Sequence, residues 1–329
     1  MLECALNSAV TMKLDSADKF DLEDYLQRQS RAIDGALENC LKQYPGAQQT
    51  LFRAVRYGIF PGGKRIRPIL TLAAGELFGA PASGLMPFAC AVELIHGYSL
   101  IHDDLPALDD DDLRRGEPAN HKVFGEGMAL LAGDGLLTEA FHLMSDRDAT
   151  RGVEPELVLA LIHELAHAAG VMGLVGGQAL DLEAEDQEAD LAAVEVIHAR
   201  KTGALILAAI RIGARLAGAG ESDLASITRY GEYLGLAFQI ADDILDARDE
   251  AALSQGETSH KEQKKATYAL VAGIVRARQR LSELLQSSLR ELDPFGARAV
   301  PLAAIARHAG ARALSAHGET FPAKERHHK

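Results

Sequence analysis

The sequence predicts an all-α protein, and three observations carry that prediction. Alanine and leucine dominate while aromatics make up 5% and tryptophan is absent. Runs of β-branched residues with two-residue alternation are missing, and apolar residues recur instead at three- and four-residue spacing. In order, that spacing predicts helices over 21–43 (Leu26, Ile33, Leu37, Leu41), 69–77 (Ile69, Leu72, Leu77) and 85–102 (Leu85, Phe88, Val92, Ile95). It continues over 128–144 (Met128, Leu131, Leu136, Leu143), 155–174 (Leu161, Leu165) and 191–216 (Val194, Leu205, Ile212). The last two are 221–245 (Leu224, Ile227, Leu234, Ile244) and 267–291 (Ile274, Leu281, Leu285). So many helices of this length predict a large bundle with an apolar centre.

The breaks are short and rich in glycine or proline, as in Pro61-Gly62-Gly63, Gly79-Ala80-Pro81 and Gly218-Ala219-Gly220. No long linker divides the chain. The expectation is a flexible N-terminal segment over 1–20 and one helical domain over 21–329, with 249–263 and the tail after 316 polar enough to be mobile.

With 329 residues, 47 acidic against 34 basic and a net charge of -13, the chain can bury a large core and disfavours nucleic acid and anionic lipid as partners. Cys4, Cys40 and Cys90 form no C-x-x-C pair, so neither a disulfide framework nor a zinc knuckle is expected and a reducing cytoplasm fits. Glu3 and the lack of a basic start argue against a secretory signal. The uncharged run 168–177 is far shorter than the roughly 20 residues of a spanning helix, so no membrane anchor is expected.

The densest chemical signal is His102-Asp103-Asp104-Leu105-Pro106-Ala107-Leu108-Asp109-Asp110-Asp111-Asp112-Leu113-Arg114-Arg115-Gly116. Six aspartates in ten residues repel one another unless cations sit among them. Hard oxygen donors without cysteine suit Mg²⁺, which commonly bridges carboxylates to substrate phosphate. A solvated acidic helix end is the structural alternative. A calcium loop fails on pattern, because Leu113 and Lys122 would fall on ligand positions. Pro106 predicts that the helix ends there and the loop folds Asp109 back toward Asp103.

A second cluster, Gln239-Ile240-Ala241-Asp242-Asp243-Ile244-Leu245-Asp246, lies in apolar sequence. Asp242 and Asp246 share a helix face one turn apart, spaced to share a metal or straddle a diphosphate. Positive charge comes in packets: Gly62-Gly63-Lys64-Arg65-Ile66-Arg67-Pro68, then Arg114-Arg115, then Lys201-Thr202-Gly203. Each packet alone resembles an ordinary basic helix end or loop.

These motifs, in this order and with Gly133-Asp134 and 176–182 beside them, resemble the short-chain trans-isoprenyl diphosphate synthases, most closely the bacterial farnesyl type. The resemblance implies the isoprenoid synthase fold, a homodimer, and Mg²⁺ (three ions) bound with an allylic diphosphate. It implies a prenyltransferase that condenses isopentenyl diphosphate with dimethylallyl or geranyl diphosphate. By the same resemblance Asp103, Asp104, Asp109, Asp242 and Asp246 hold metal, and Arg114 and Lys201 clamp the allylic diphosphate. Lys64, Arg67, His96 and Arg115 hold isopentenyl diphosphate; Thr202 and Gln239 line the cation.

His96 and Gln239 would otherwise read as a core histidine and a buried amide, and His102 keeps that structural reading. Asp110 to Asp112 read as loop-solvating residues. Lys265 matches the later of two family lysines, whereas the earlier position falls near Gln255, with Lys261 and Lys264 nearby. That departure puts the closing of the loop over the diphosphate in question. Tyr98 and Ser99, about one turn below Asp103, set product length in this reading. An aromatic there favours a C15 product, while 120–126 resembles C20 enzymes. A terpene cyclase is disfavoured by Asp246 and by the second basic site; a non-catalytic partner subunit is the rival from another class.

Overall fold

The computed structural model describes residues 20–41, 49–60, 62–184, 190–253 and 267–315. It is helical almost throughout. Helices α1 (Leu22–Leu41), α2 (Gln49–Ile59), α3 (Ile66–Leu77) and α4 (Ala82–Asp103) come first. A two-residue hairpin, β1 (Leu113–Arg114) and β2 (Glu117–Pro118), separates them from α5 (Asn120–Phe124), α6 (Glu126–Ser145), α7 (Pro155–Ala169) and α8 (Leu174–Ala184). Then follow α9 (Leu191–His198), a π-helical turn (Ala199–Gly203), α10 (Ala204–Leu216), α11 (Glu221–Leu253), α12 (Tyr268–Ala272), α13 (Ile274–Glu291), a 3₁₀ turn and α14 (Val300–Leu314).

α4 is apolar all round and forms the core, with α3, α6 and α10 packed on it; that is what a helix without a polar face must do. Helix α1 shows the amphipathic alternative. It turns Ile33, Leu37 and Leu41 inward at four-residue spacing, and Tyr25 donates its hydroxyl to Glu76 at 2.8 Å. A second core of Val194, Ala237, Ile240, Ile244, Tyr268 and Leu281 holds α9, α11, α12 and α13 together.

Four departures from the expected elements have local causes. The helix predicted over 155–174 stops at Ala169, where Gly170 takes an extended conformation, and restarts at Leu174. The one over 267–291 breaks at Gly273 (φ 79°), a conformation a continuing helix cannot contain. Helices α2 and α14 fall outside the predicted segments, because their arginines and alanines dilute the apolar period. The segment 191–216 runs on as predicted but carries a π-helical turn at Lys201-Thr202-Gly203, a kind of irregularity that gathers at functional sites.

Two stretches, Ala82–Asp103 and Pro155–Ala184, have the length and mean hydropathy of spanning segments. The first is the core helix α4, and the second is interrupted between α7 and α8.

Helix contacts are closest where glycine removes a side chain. A Cβ on Gly213 of α10 would lie 2.1 Å from the Thr71 carbonyl of α3, and one on Gly97 of α4 would lie 2.4 Å from Ile59. Backbone cannot retreat as a side-chain tip can. Gly213→Ala should therefore destabilise the fold by about 1–3 kcal/mol, an overpacking cost, read as a lowered denaturation midpoint with unchanged slope.

Candidate active site

The first aspartate motif is shaped by the end of α4. Asp103 is the last helical residue, and the Asp109 N–H donates to the Asp103 carbonyl at 2.8 Å. The two residues expected to act together, six apart in sequence, are thus joined through the backbone. Asp110 takes a left-handed conformation (φ 51°), which completes the turn.

Three further aspartates pair with basic side chains. Asp104 is buried and receives two N–H groups from Arg114, at 2.8 Å from Nε and at closer range from Nη2. Arg114 also bonds Asp111 at 2.9 Å, and Lys122 reaches Asp112 at 2.7 Å. Burial pushes the Asp104 carboxyl up and Arg114 pulls it back. Asp104, read from the sequence as a supporting metal ligand, and Arg114, read as a diphosphate clamp, are here bonded to each other.

The hairpin aims the next arginine. Arg115 (φ 57°) and Gly116 (φ 83°) form its tight turn, and the Arg115 guanidinium bonds the Gly62 carbonyl. It lies so close over Gly63 that a Cβ there would sit 2.8 Å from Nη1. The glycines of Gly62-Gly63-Lys64 thus serve Arg115 as well as the loop itself.

Arg65, between the two basic residues of interest, is turned inward. It is buried and bonds Glu93 at 2.7 Å, Asp34 at 2.8 Å and the Ile59 carbonyl at 2.7 Å. That anchor leaves Lys64 exposed and Arg67 half-buried. Arg67 donates to His96 Nε2 at 3.2 Å, and burial, then the charges of Arg67 and Arg115, hold His96 well below the usual histidine range. A neutral imidazole accepts that bond. Lys64, Arg67, His96 and Arg115 thus form a basic packet where α3 starts against α4.

The second motif rides on α11. Asp242 and Asp246 are exposed, whereas Asp243 is buried among the core residues of that helix. Asp242 meets solvent at the mouth and protein on its other sides. Burial and then the Asp246 charge raise its pKa to about 6, against the pull of Lys64 and Arg67. An oxygen-only donor pair under mutual repulsion fits a hard divalent cation such as Mg²⁺. Among the described residues no three acidic, histidine or cysteine side chains already converge as a metal cage. Both motif helices, α4 and α11, pack on α10.

Between them sits the π-helical turn, fixed by two close approaches. A Cβ on Gly177 would lie 2.2 Å from the Lys201 nitrogen, and one on Gly235 would lie 2.7 Å from the Gly203 Cα. Lys201 Nζ bonds Asp181 at 2.6 Å, and the Thr202 hydroxyl donates to Gln239 Oε1 at 2.6 Å. Sequence reading missed Asp181 and Gln178. Both lie on α8, and the Gln178 amide is buried without a hydrogen-bond partner. The Gly176-Gly177-Gln178 stretch was the available signal.

Tyr98 is buried, its hydroxyl unpartnered, its ring edge-on to His102 at 5.7 Å between centroids. Ser99 turns its hydroxyl back to the His96 carbonyl at 3.0 Å. His102 bonds the Leu130 carbonyl at 3.0 Å and lies against Gly133, a packing role. Lys265, Lys261, Lys264 and the position near Gln255 lie outside the described residues, as do 1–19 of the expected N-terminal segment and most of 249–263.

Fold and site together define a class: an all-helical protein whose mouth sets paired carboxylates, suited to a divalent cation, beside a compact basic packet suited to phosphate. Residues 48–294 match the polyprenyl synthetase family model, and the chain belongs to that family. It is 44% identical over 284 residues to a farnesyl diphosphate synthase of Geobacillus stearothermophilus, covering 85% of this chain and 95% of that one. It is 41% identical over 289 residues to a geranylgeranyl diphosphate synthase of Cyanophora paradoxa, covering 87% and 95%. A crystal structure of an FPP/GFPP synthase from Zymomonas mobilis superposes with a TM-score of 0.79 at 36% identity, covering 87% and 98%.

The raised pKa of Asp242 has a consequence for the metal-free protein. Its folded-state value of about 6 lies above the ordinary 3.8, so its contribution to stability is present at low pH and is lost as pH rises through 6. Asp242→Asn should therefore raise the metal-free melting temperature at pH 7.5 and have little effect at pH 4. Melts at both pH values check the sign.

Proposed function

We propose that this prenyltransferase joins isopentenyl diphosphate to dimethylallyl or geranyl diphosphate, head to tail, with farnesyl diphosphate as its product and Mg²⁺ as its cofactor. The observation that carries the reading is the pairing of two different anion sites at one mouth. Lys64, Arg67, His96 and Arg115 supply cationic and neutral donors without a metal. Asp103, Asp109, Asp242 and Asp246 supply the opposite chemistry, oxygen donors that accept a diphosphate only through a cation.

Two diphosphates can then bind side by side without competing. The basic packet orients isopentenyl diphosphate by point charges and by the Arg67 and Arg115 forks. Lys201, steadied by Asp181, is in position to take the leaving diphosphate of the allylic partner. When bound, Mg²⁺ stabilises the negative charge that develops on that leaving group.

The allylic carbon becomes cationic as its bond to oxygen breaks, and the Thr202 and Gln239 oxygens supply dipoles toward it. The double bond of isopentenyl diphosphate attacks, and the departing diphosphate can take the proton then lost. No side chain of this chain is required as base.

Tyr98 is the proposed floor for the growing tail. A buried aromatic about one turn below Asp103 supports a C15 rather than a C20 product. A homodimer and a cytoplasmic location belong to the same reading.

Incubation with isopentenyl diphosphate, geranyl diphosphate and Mg²⁺, followed by chromatography, should yield farnesyl diphosphate, and chelation should abolish the product. Absence of elongation would reject the reading in favour of a non-catalytic subunit. Tyr98→Ala should shift the product ladder to longer chains. An unchanged ladder would remove Tyr98 as the floor.

A further inference from the structure

Asp243 is the one aspartate of the second motif that does not face the mouth. Its side chain is 4% exposed, and both of its oxygens are engaged. Oδ1 accepts from Gln239 Nε2 at 3.1 Å. Oδ2 accepts the Tyr268 backbone N–H at 2.7 Å and lies 3.3 Å from His198 Nε2. His198 is itself buried, and its Nδ1 has no partner, so the ring's single proton belongs on Nε2, facing Asp243. Asp243 therefore ties together α9, α11 and the first residue of α12.

The bond to Gln239 has a directional consequence. A primary amide can sit in two orientations that exchange its oxygen and its NH₂ group, and only the surrounding network decides between them. A carboxylate accepts and does not donate, so Asp243 demands the NH₂ end. The carbonyl oxygen is then turned to the Thr202 hydroxyl, from which it accepts at 2.6 Å. Were the amide reversed, its oxygen would oppose a buried carboxylate, with the NH₂ group on the Thr202 side.

We propose that Asp243 is a positioning residue that locks the Gln239 amide with its carbonyl outward, so that Gln239 and Thr202 present oxygen lone pairs, not N–H groups, to the allylic cation. It acts behind the site and is not a metal ligand. The inference rests on the prenyltransferase reading, since that reading supplies the cation. It also gives the motif's adjacent aspartates different roles, with Asp242 serving the mouth and Asp243 the amide.

The test compares Asp243→Asn with wild type. Asparagine keeps the shape but can donate or accept, so Gln239 is free to reverse. Affinity for a trialkylammonium mimic of the allylic cation, measured by calorimetry with Mg²⁺ and inorganic diphosphate, should fall about ten-fold or more. Affinity for a neutral isostere of that mimic, and for Mg²⁺ with diphosphate alone, should stay within two-fold, on the order expected when only the cation contact is lost.

In turnover, kcat should fall with the allylic KM and the Mg²⁺ requirement unchanged, and Gln239→Met should add no further loss in the Asp243→Asn background. A raised Mg²⁺ requirement would make Asp243 a ligand, and equal weakening of both mimics would make it merely structural; either overturns the proposal. Should Asp243→Asn fail to fold, neutron diffraction of the wild-type protein reads the amide directly. Deuterons of Gln239 found toward Thr202 would overturn the inference. Wild-type protein that fails to elongate would instead reject the function reading, while the diffraction result would stand on its own.

Discussion

Like-charge repulsion is the constraint on which the rest of this architecture depends. Two unit charges about 4 Å apart interact by about 4 kcal/mol at an effective dielectric constant of 20, so aspartates crowded at one mouth cannot be left uncompensated. The chain resolves this unevenly. Arg114 neutralises Asp104 and Asp111, and Lys122 neutralises Asp112. Asp242 retains enough repulsion from Asp246 to keep its pKa raised even with Lys64 and Arg67 nearby. Partial compensation is what a binding site needs, because a fully paired carboxylate offers a cation no gain.

Close helix approach is the second requirement, since compensation works only if distant segments meet. Gly177 lets α8 touch the backbone at Lys201, and Gly235 lets α11 touch Gly203. Those contacts seat the π-helical turn so that Lys201 meets Asp181 and Thr202 meets Gln239. The buried bonds of Arg65 to Glu93 and Asp34 do the same for the Gly62 to Arg67 loop. A charged residue in a functional motif is here an anchor, and its neighbours on either side remain available for a ligand.

Much of this was legible in the residue order. Helix existence followed from apolar spacing, because a helix that must bury one face repeats it every three or four residues. The return of Asp109 to Asp103 followed from Pro106, which cannot continue the ladder of α4. What the order could not convey were partners distant in sequence. Arg65 looks no different from Lys64 until Glu93, 28 residues on, is seen beneath it. Asp243 looks like its neighbour Asp242 until the helix is formed and the two point to different surroundings. The π-helical turn leaves no mark on apolar period, since it shifts the register by a single residue within a continuous helix.

The choice of groups near the proposed cation follows from the same electrostatics. A carboxylate in contact with a carbocation would bind it with a full charge and could capture it as an ester, ending the reaction at the protein. Hydroxyl and amide oxygens are dipoles. They lower the energy of the positive carbon without offering an anionic nucleophile, and they need to be held in place to do so. In this chain the full negative charge of Asp243 stands behind Gln239 and is saturated by Tyr268 and His198. Its field reaches the site through an oriented amide, so the arrangement gains direction from a buried charge while keeping the nucleophile away from the cation.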